Sequence, residues 1–192
     1  MSGRRLDPGA RRAQLIGIGA RLFAERPYHE VRMDEVGAAA GVSRALVYRY
    51  FPSKRDLFAA VYRRAADELV AATGAGSPGA VGDWVAAGLD AHFDYFEANA
   101  TTVLAANRDL AGDPMIQSII TDELATLRSR LLDALEIPES RREAVGVALL
   151  AWLSFVRVSS VEWLLHRRIG RDELHALCLR TLAAALEPGN GR

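Results

Sequence analysis

A chain of 192 residues with a single cysteine, Cys178, can form no disulfide within itself. A zinc centre would have to draw on other ligands, and the four histidines, His29, His92, His166 and His175, stand at no ligand spacing. No metal and no cofactor is expected. There is no glycine-rich phosphate loop and no nucleophile elbow, so the local signatures of nucleotide-binding and hydrolytic enzymes are missing and no enzymatic activity is expected. The amino terminus, MSGRRLDPGARR, is polar and charged, unlike a signal peptide. In the C-terminal half the longest uncharged run is Ala144 to Val156, thirteen residues closed by Arg157, short of the roughly 18 that span a bilayer. These features predict a buried core helix in a cytoplasmic protein with no membrane partner. No segment alternates polar and apolar residues for long enough to make a strand. The expected fold class is all-α.

Half of the residues are hydrophobic and a quarter charged, enough for a real core. The net charge of zero hides an asymmetry: residues 1–55 hold eleven Lys and Arg against five Asp and Glu, a net +6, and the remainder carries −6. A basic module joined to an acidic one suggests a polyanionic partner for the first part alone.

Punctuation along the chain predicts about nine helices. Asp7-Pro8 pairs an N-cap oxygen with a residue preset for the first turn, and the helix it opens runs to about Glu25, with Leu15, Ile16, Leu22 and Phe23 as its apolar side. A short helix from Met33 to Ala40 ends at Gly41, a natural left-handed cap. Ser43 caps the next helix, Arg44 to Tyr50, and Ser53-Lys54-Arg55-Asp56 resembles a capping box opening a helix to about Ala72. Gly74-Ala75-Gly76-Ser77-Pro78-Gly79 reads as a linker. After it, Val81, Trp84, Val85, Leu89, Phe93 and Phe96 recur at helical spacing. A short helix around 102–107 follows, then one opened by Asp113-Pro114 with the stripe Ile116, Ile120, Leu124, Leu127, Leu131 and Leu135. The last two helices are expected over 139–168 and 171–187, parted at Gly170. The implied organisation is a small helical domain over 1–55, a connecting helix over 56–72, a linker over 73–80 and a second helical domain over 81–192.

Residues 33–51, MDEVGAAAGVSRALVYRYF, have helix-turn-helix spacing. Gly37 lets the second helix approach, Gly41 makes the turn, and Val36, Ala40, Val42 and Val47 fill the small core between the helices. The second helix then offers Arg44, Ala45, Leu46, Tyr48 and Arg49 to a major groove, whose base edges such a helix reads. Packed helices joined by glycine have the same spacing; the basic and aromatic residues around the turn, which hold phosphates, favour DNA.

The stretch AGVSRALVYRYFPSKRDLF (40–58) resembles the signature of the tetracycline-repressor (TetR) family, in which a Gly-Val-Ser turn leads through an aromatic pair to a Ser-Lys cap. LFAERPYHEV (22–31) is similar to the end of that family's first helix and its aromatic turn. The resemblance is close over 8–70; beyond, helix number and length alone agree. It implies a three-helix DNA-binding domain before a ligand-sensing, dimerising bundle, with Ser43 as cap, Arg44, Ala45 and Leu46 near bases, and Tyr48, Tyr50 and Lys54 on phosphates. Arg49 either joins them or is simply solvated. Three positions depart from the family pattern. Leu46 replaces a small polar residue and can touch a thymine methyl but cannot hydrogen-bond a base. Val31-Arg32 replaces a Thr/Ser pair, so a phosphate-binding hydroxyl is missing and Arg32 is the candidate substitute. Gly37 replaces Ala, which should loosen its helix. The basic arm Arg4, Arg5, Arg11 and Arg12 is either solvated or reaches a minor groove.

The segment AVGVALLAWLSFVRVSSVEWLL is apolar on nearly every face and must be covered on both sides. One side can pack within the subunit and the other against a second copy, with Leu174, Leu177, Leu182 and Leu186 completing a four-helix homodimer interface. A dimer suits DNA reading, because paired recognition helices read a palindromic operator on double-stranded DNA. Trp84, Phe93, Phe96, Ile120 and Trp152 lie on inward stripes, where they serve packing or, together, an apolar pocket for a small-molecule effector. Arg157 in so apolar a helix needs a partner; Glu162, five residues on, is poorly placed, leaving a contact across the dimer or the anionic end of a ligand. His92 is either a satisfied core histidine or a ligand contact. The function these readings favour is a ligand-released repressor. A dimerisation module without DNA would leave the basic N-terminal motif idle, and an enzyme would need distant residues to converge.

Overall fold

The computed structural model describes residues 6–73 and 81–187; the linker expected over 74–79 and the arm residues Arg4 and Arg5 lie outside them. Among the described residues the chain is nine α-helices with one 3-10 and one π turn, and no strand: α1 Pro8–Glu25, α2 Met33–Ala40, α3 Arg44–Tyr50, α4 Lys54–Ala72, α5 Val81–Ala98, α6 Ala100–Leu104, α7 Pro114–Ala134, α8 Glu139–His166 and α9 Arg171–Leu186.

The predicted start signals are realised in hydrogen bonds. Asp7 Oδ1 accepts from the Ala10 amide at 2.9 Å, with Pro8 in the first turn. Asp113 Oδ1 accepts from the Met115 and Ile116 amides and so opens α7. At α4 the expected capping box is altered: Ser53 Oγ accepts from the Asp56 amide at 3.2 Å, but the Asp56 carboxylate accepts a hydrogen bond from the Ser53 hydroxyl at 2.7 Å. The shorter Asp side chain is met by the hydroxyl itself.

Two boundaries differ from expectation. The helix expected around 102–107 is α6 running into a π turn, Ala105–Asp109, closed by the Leu110 amide on the Ala105 carbonyl. Helix α8 stops at His166 because Arg167, not Gly170, takes the left-handed conformation, with φ 46°. A non-glycine residue there is held by its surroundings: the Arg167 guanidinium lies 3.9 Å from the Trp163 ring centroid and meets Glu97 at 2.8 Å.

The chain separates into two compact units, one of Met1–Ala65 with Asn99–Ile119, the other of Ala66–Ala98 with Ile120–Arg192. Residues 99–119, read from sequence as part of the C-terminal domain, thus cluster with the N-terminal helices. In the first unit, α1 packs on α2 and α6, and α2 on α3. Its core centres on Phe23, Phe58 and Tyr28, with ring centroids 5.0–5.9 Å apart. In the second, α5, α8 and α9 pack together around Leu89, Phe93, Leu149, Trp163, Leu174 and Cys178. Burial pushes the Cys178 thiol up to about 11, so it is inert packing. Leu174 and Leu182 join this core and Leu177 is half-buried, so the α9 stripe expected at a dimer face is largely spent inside the subunit.

Helix α8 is long and apolar enough, by length and composition, to cross a membrane. It also carries a buried ion pair and a serine with no exposed surface.

Candidate nucleic-acid interface and apolar cavity

Helices α2 and α3 meet at a turn made by one backbone conformation and one side chain. Gly41 adopts φ 64°, which side chains resist, and Ser43 Oγ accepts from the Leu46 amide at 3.2 Å to start α3. Val36 and Val47 are fully buried between the helices and Ala40 nearly so, while Val42 is half-buried and donates its amide to the Gly37 carbonyl at 2.9 Å. A Cβ on Gly37 would stand 3.1 Å from the Val42 carbonyl oxygen and 3.3 Å from Val47 Cγ2. The glycine allows the turn to fold this tightly over α2.

With Val47 inward, α3 turns Arg44, Ala45 and Arg49 to solvent and leaves Leu46, Tyr48 and Tyr50 half-buried. The Arg44 guanidinium lies 5.3 Å from the Tyr48 ring and 3.4 Å from its hydroxyl, and Arg49 lies 5.7 Å from the Tyr50 ring. Each arginine is thus steered by an aromatic plane rather than swinging freely. Phe51 is buried, as expected, with Arg12 5.2 Å from its ring.

Lys54, the sole lysine of the chain, is more constrained. Its ammonium donates to the Tyr28 and His29 carbonyls at 2.8 and 3.2 Å and sits 4.5 Å from the Tyr28 ring. Burial lowers its pKa. Two of its three donors are taken by backbone carbonyls. Arg32 is tied to Asp34 by two hydrogen bonds of 3.0 and 3.2 Å. The Glu35 carboxylate reaches back to accept from the Arg32 amide at 3.0 Å, the half of a capping box that needs no hydroxyl, and is itself gripped by Arg26 through both oxygens. The Arg26 bonds hold Glu35 below the usual carboxylate range.

The second unit carries a half-open, apolar cavity of ≈ 70 Å³. Its wall is formed by Leu69 and Thr73 from the end of α4 and its following turn, Trp84, Val85, Gly88, Leu89 and His92 of α5, Leu127 and Leu131 of α7, and Trp152, Leu153 and Val156 of α8. Of the residues singled out for a pocket, Trp84 and Trp152 are on this wall. Phe93 is buried beside Trp163, Phe96 packs on His92 at a centroid distance of 3.9 Å, and Ile120 is buried in α7. Arg157 is buried against Glu123 of the same chain at 3.2 and 3.3 Å, a partner other than the ones considered from the sequence. Burial raises the Glu123 pKa, opposed by Arg157. Glu123 went unnoticed in the sequence, although it stands seven residues after Ile116 on the stripe of α7; an acid on an apolar stripe was the signal.

The profile of bacterial regulatory proteins of the tetR family matches residues 15–61. The transcriptional activator FasR of Mycolicibacterium smegmatis is 30% identical over 159 residues, covering 78% of this chain and 72% of FasR. The chain belongs to the TetR family. RutR of Escherichia coli is 27% identical over 123 residues, 62% of this chain and 57% of RutR. A tetR-family regulator from Streptomyces coelicolor superimposes with a TM-score of 0.80 at 29% identity, over 94% of this chain and 82% of that one. FadR of Bacillus subtilis, solved in complex with stearoyl-CoA, shares the fold with a TM-score of 0.67 at 15% identity, over 91% and 99% of the two chains.

The protein is therefore a DNA-binding transcriptional regulator with a helix-turn-helix, not an enzyme. Its departures from the TetR pattern have local counterparts: Glu35 binds the Arg32 amide at the start of α2, Gly37 accepts a closer turn, and Leu46 is half-buried rather than presented as a polar reader.

Proposed function

We propose that this TetR-family protein is a ligand-responsive repressor that binds an inverted-repeat operator as a homodimer and is released by a small, largely apolar effector. The reading rests above all on the α3 surface, where Arg44, Ala45 and Arg49 face solvent on a helix capped by Ser43. In it Arg44, Ala45 and Leu46 lie at base edges, while Arg32, Tyr48, Arg49, Tyr50 and Lys54 hold phosphates. The functional division is DNA binding by 1–55, connection by α4, and sensing and dimerisation by 81–192, in the cytoplasm.

Dimerisation is supported by the outer face of α8. Val147 and Val158 are 66% and 63% exposed and Leu150 is 38% exposed. The small Ala151 and Ser154 lie between them at heptad spacing, the pattern of a helix awaiting a partner helix. The α5–α8 cavity supports the sensing role, with Trp84 and Trp152 as its aromatic wall.

Footprinting on the protein's own upstream region tests the reading. A protected inverted repeat, bound well above random DNA of equal length, is expected; protection no stronger than on random DNA at every site tried overturns it. A second reading, activation, is favoured by one observation, the description of FasR as an activator. A promoter-reporter fusion in a deletion strain separates the two: expression rises on deletion of a repressor and falls on deletion of an activator.

A further inference from the structure

If the cavity is the effector site, as proposed above, its wall also specifies the effector's chemistry. The polar side chains on the wall itself can be accounted for one by one. The Thr73 hydroxyl donates to the Val70 carbonyl at 2.8 Å, the Trp84 indole N–H to the Thr73 carbonyl at 2.6 Å, and the Trp152 N–H to the Cys178 carbonyl at 2.9 Å. What is left is His92. Ser160 Oγ gives its single proton to the Val156 carbonyl at 2.7 Å, so at 3.1 Å it accepts from His92 Nε2–H. That assigns the tautomer: Nε2 carries the proton and Nδ1 presents a lone pair, with no partner among the described residues.

Charge is poorly served on both signs. An ionised carboxylate has no proton to donate and would set its lone pairs against that of His92 Nδ1. Two cations lie near the wall: Arg157, paired with Glu123 with both side chains over nine-tenths buried, and Arg130, which donates to the Val70 carbonyl and the Thr73 hydroxyl. An entering cation finds no carboxylate on the wall, because Glu123 is spent on Arg157. An unpaired ion held against an apolar wall is costly.

We propose that the effector is an uncharged, mainly apolar molecule carrying one hydroxyl or N–H group, which donates a hydrogen bond to His92 Nδ1. A carboxylate or a phosphate ester does not occupy this cavity.

The cavity is small, so short probes test the idea on the full-length protein at pH 7: 1-hexanol, its isomer pentyl methyl ether, and hexanoate. Trp84 and Trp152 on the wall give a fluorescence readout. Hexanol should bind about fivefold more tightly than the ether, the worth of one neutral hydrogen bond. It should bind at least about 100-fold more tightly than hexanoate, since little of a carboxylic acid is neutral at pH 7. In His92→Phe the preference for hexanol over ether should vanish while ether affinity stays within about twofold; the wild-type series decides the matter even if that variant fails to fold. Hexanoate binding as tightly as hexanol, or an ether equal to hexanol, overturns the assignment of effector class while leaving the cavity as the effector site. Absence of binding by all three overturns the cavity reading itself, and this inference with it.

Discussion

Arg157 of α8 and Glu123 of α7 form an ion pair of 3.2 Å inside a single subunit, with side chains 8% and 4% exposed. Such a pair is held by mutual dependence rather than by net gain, because each charge has lost its water. Removing one partner, in Arg157→Leu or Glu123→Leu, should cost about 3–5 kcal/mol of stability. Replacing both together, in Arg157→Met with Glu123→Leu, should restore most of it. Urea unfolding of the three variants checks this. A double variant as unstable as the sum of the singles would mean that the two side chains act independently and that the mutual dependence argued here is wrong.

His92 gives the fold a sensitivity to acid. Burial first, and then the charge of Arg157, lower its pKa from 6.5 to about 3. A histidine whose folded pKa is depressed adds stability above its unfolded pKa, and that stability is lost as pH falls through about 6.5 toward 3. The slope from this group is at most about 1.4 kcal/mol per pH unit. Stability should therefore decline faster between pH 6.5 and 5 in wild type than in His92→Phe. Parallel pH profiles for the two proteins would place the sensitivity elsewhere.

The α3 arginine and the α4 lysine should differ in what their loss does. Arg44→Ala should change the preference among half-sites by about 1–3 kcal/mol where it reads a guanine. Tyr48→Phe and Lys54→Ala should weaken binding to all sequences alike, Lys54→Ala with a salt slope smaller by about one. Because Lys54 also holds the Tyr28 and His29 carbonyls, Lys54→Ala should in addition lower thermal stability, and Arg44→Ala should not. Gel shifts over a half-site library, repeated at several salt concentrations, separate these effects. A change of base preference on Lys54→Ala but not on Arg44→Ala would reverse the roles.

The helix-turn-helix was legible because its determinants are local. A left-handed residue needs Gly41, a helix start needs Ser43, and both act within four residues of their effect. The inward stripes were legible for the same reason, which is why Phe93 and Phe96 were rightly placed inside. Which interior they face is a tertiary matter: periodicity shows that a side chain is turned inward, not whether a cavity or a neighbouring ring awaits it. Glu123 is the instructive miss. Its partner lies 34 residues away, and helical spacing alone cannot link an acid on one stripe to a base on another. Nor does any local rule foresee the end of α8, where Arg167 is held in place by Trp163 and Glu97.

The last turn of α4 is held by two side chains of the second unit. Trp84 donates its indole N–H to the Thr73 carbonyl at 2.6 Å, and Arg130 donates to the Val70 carbonyl and, at 3.4 Å, to the Thr73 hydroxyl. The Trp84 ring is also cavity wall, so a molecule that enters and turns the ring must disturb the bond that secures the helix end. A ligand shifts only an equilibrium between states it binds differently, and this bond, made or broken, is a concrete difference of that kind. Trp84→Phe keeps most of the ring and deletes the donor. The Thr73 amide, bonded to the Leu69 carbonyl at 3.1 Å, should then exchange with solvent about fivefold faster, as expected for one lost hydrogen bond. In wild type, saturating 1-hexanol should accelerate that same amide; in Trp84→Phe it should add little, because the bond it would break is already gone. Hydrogen exchange followed by NMR reads both. Equal acceleration by hexanol in the two proteins would show that the signal leaves the cavity without passing through the Trp84–Thr73 bond.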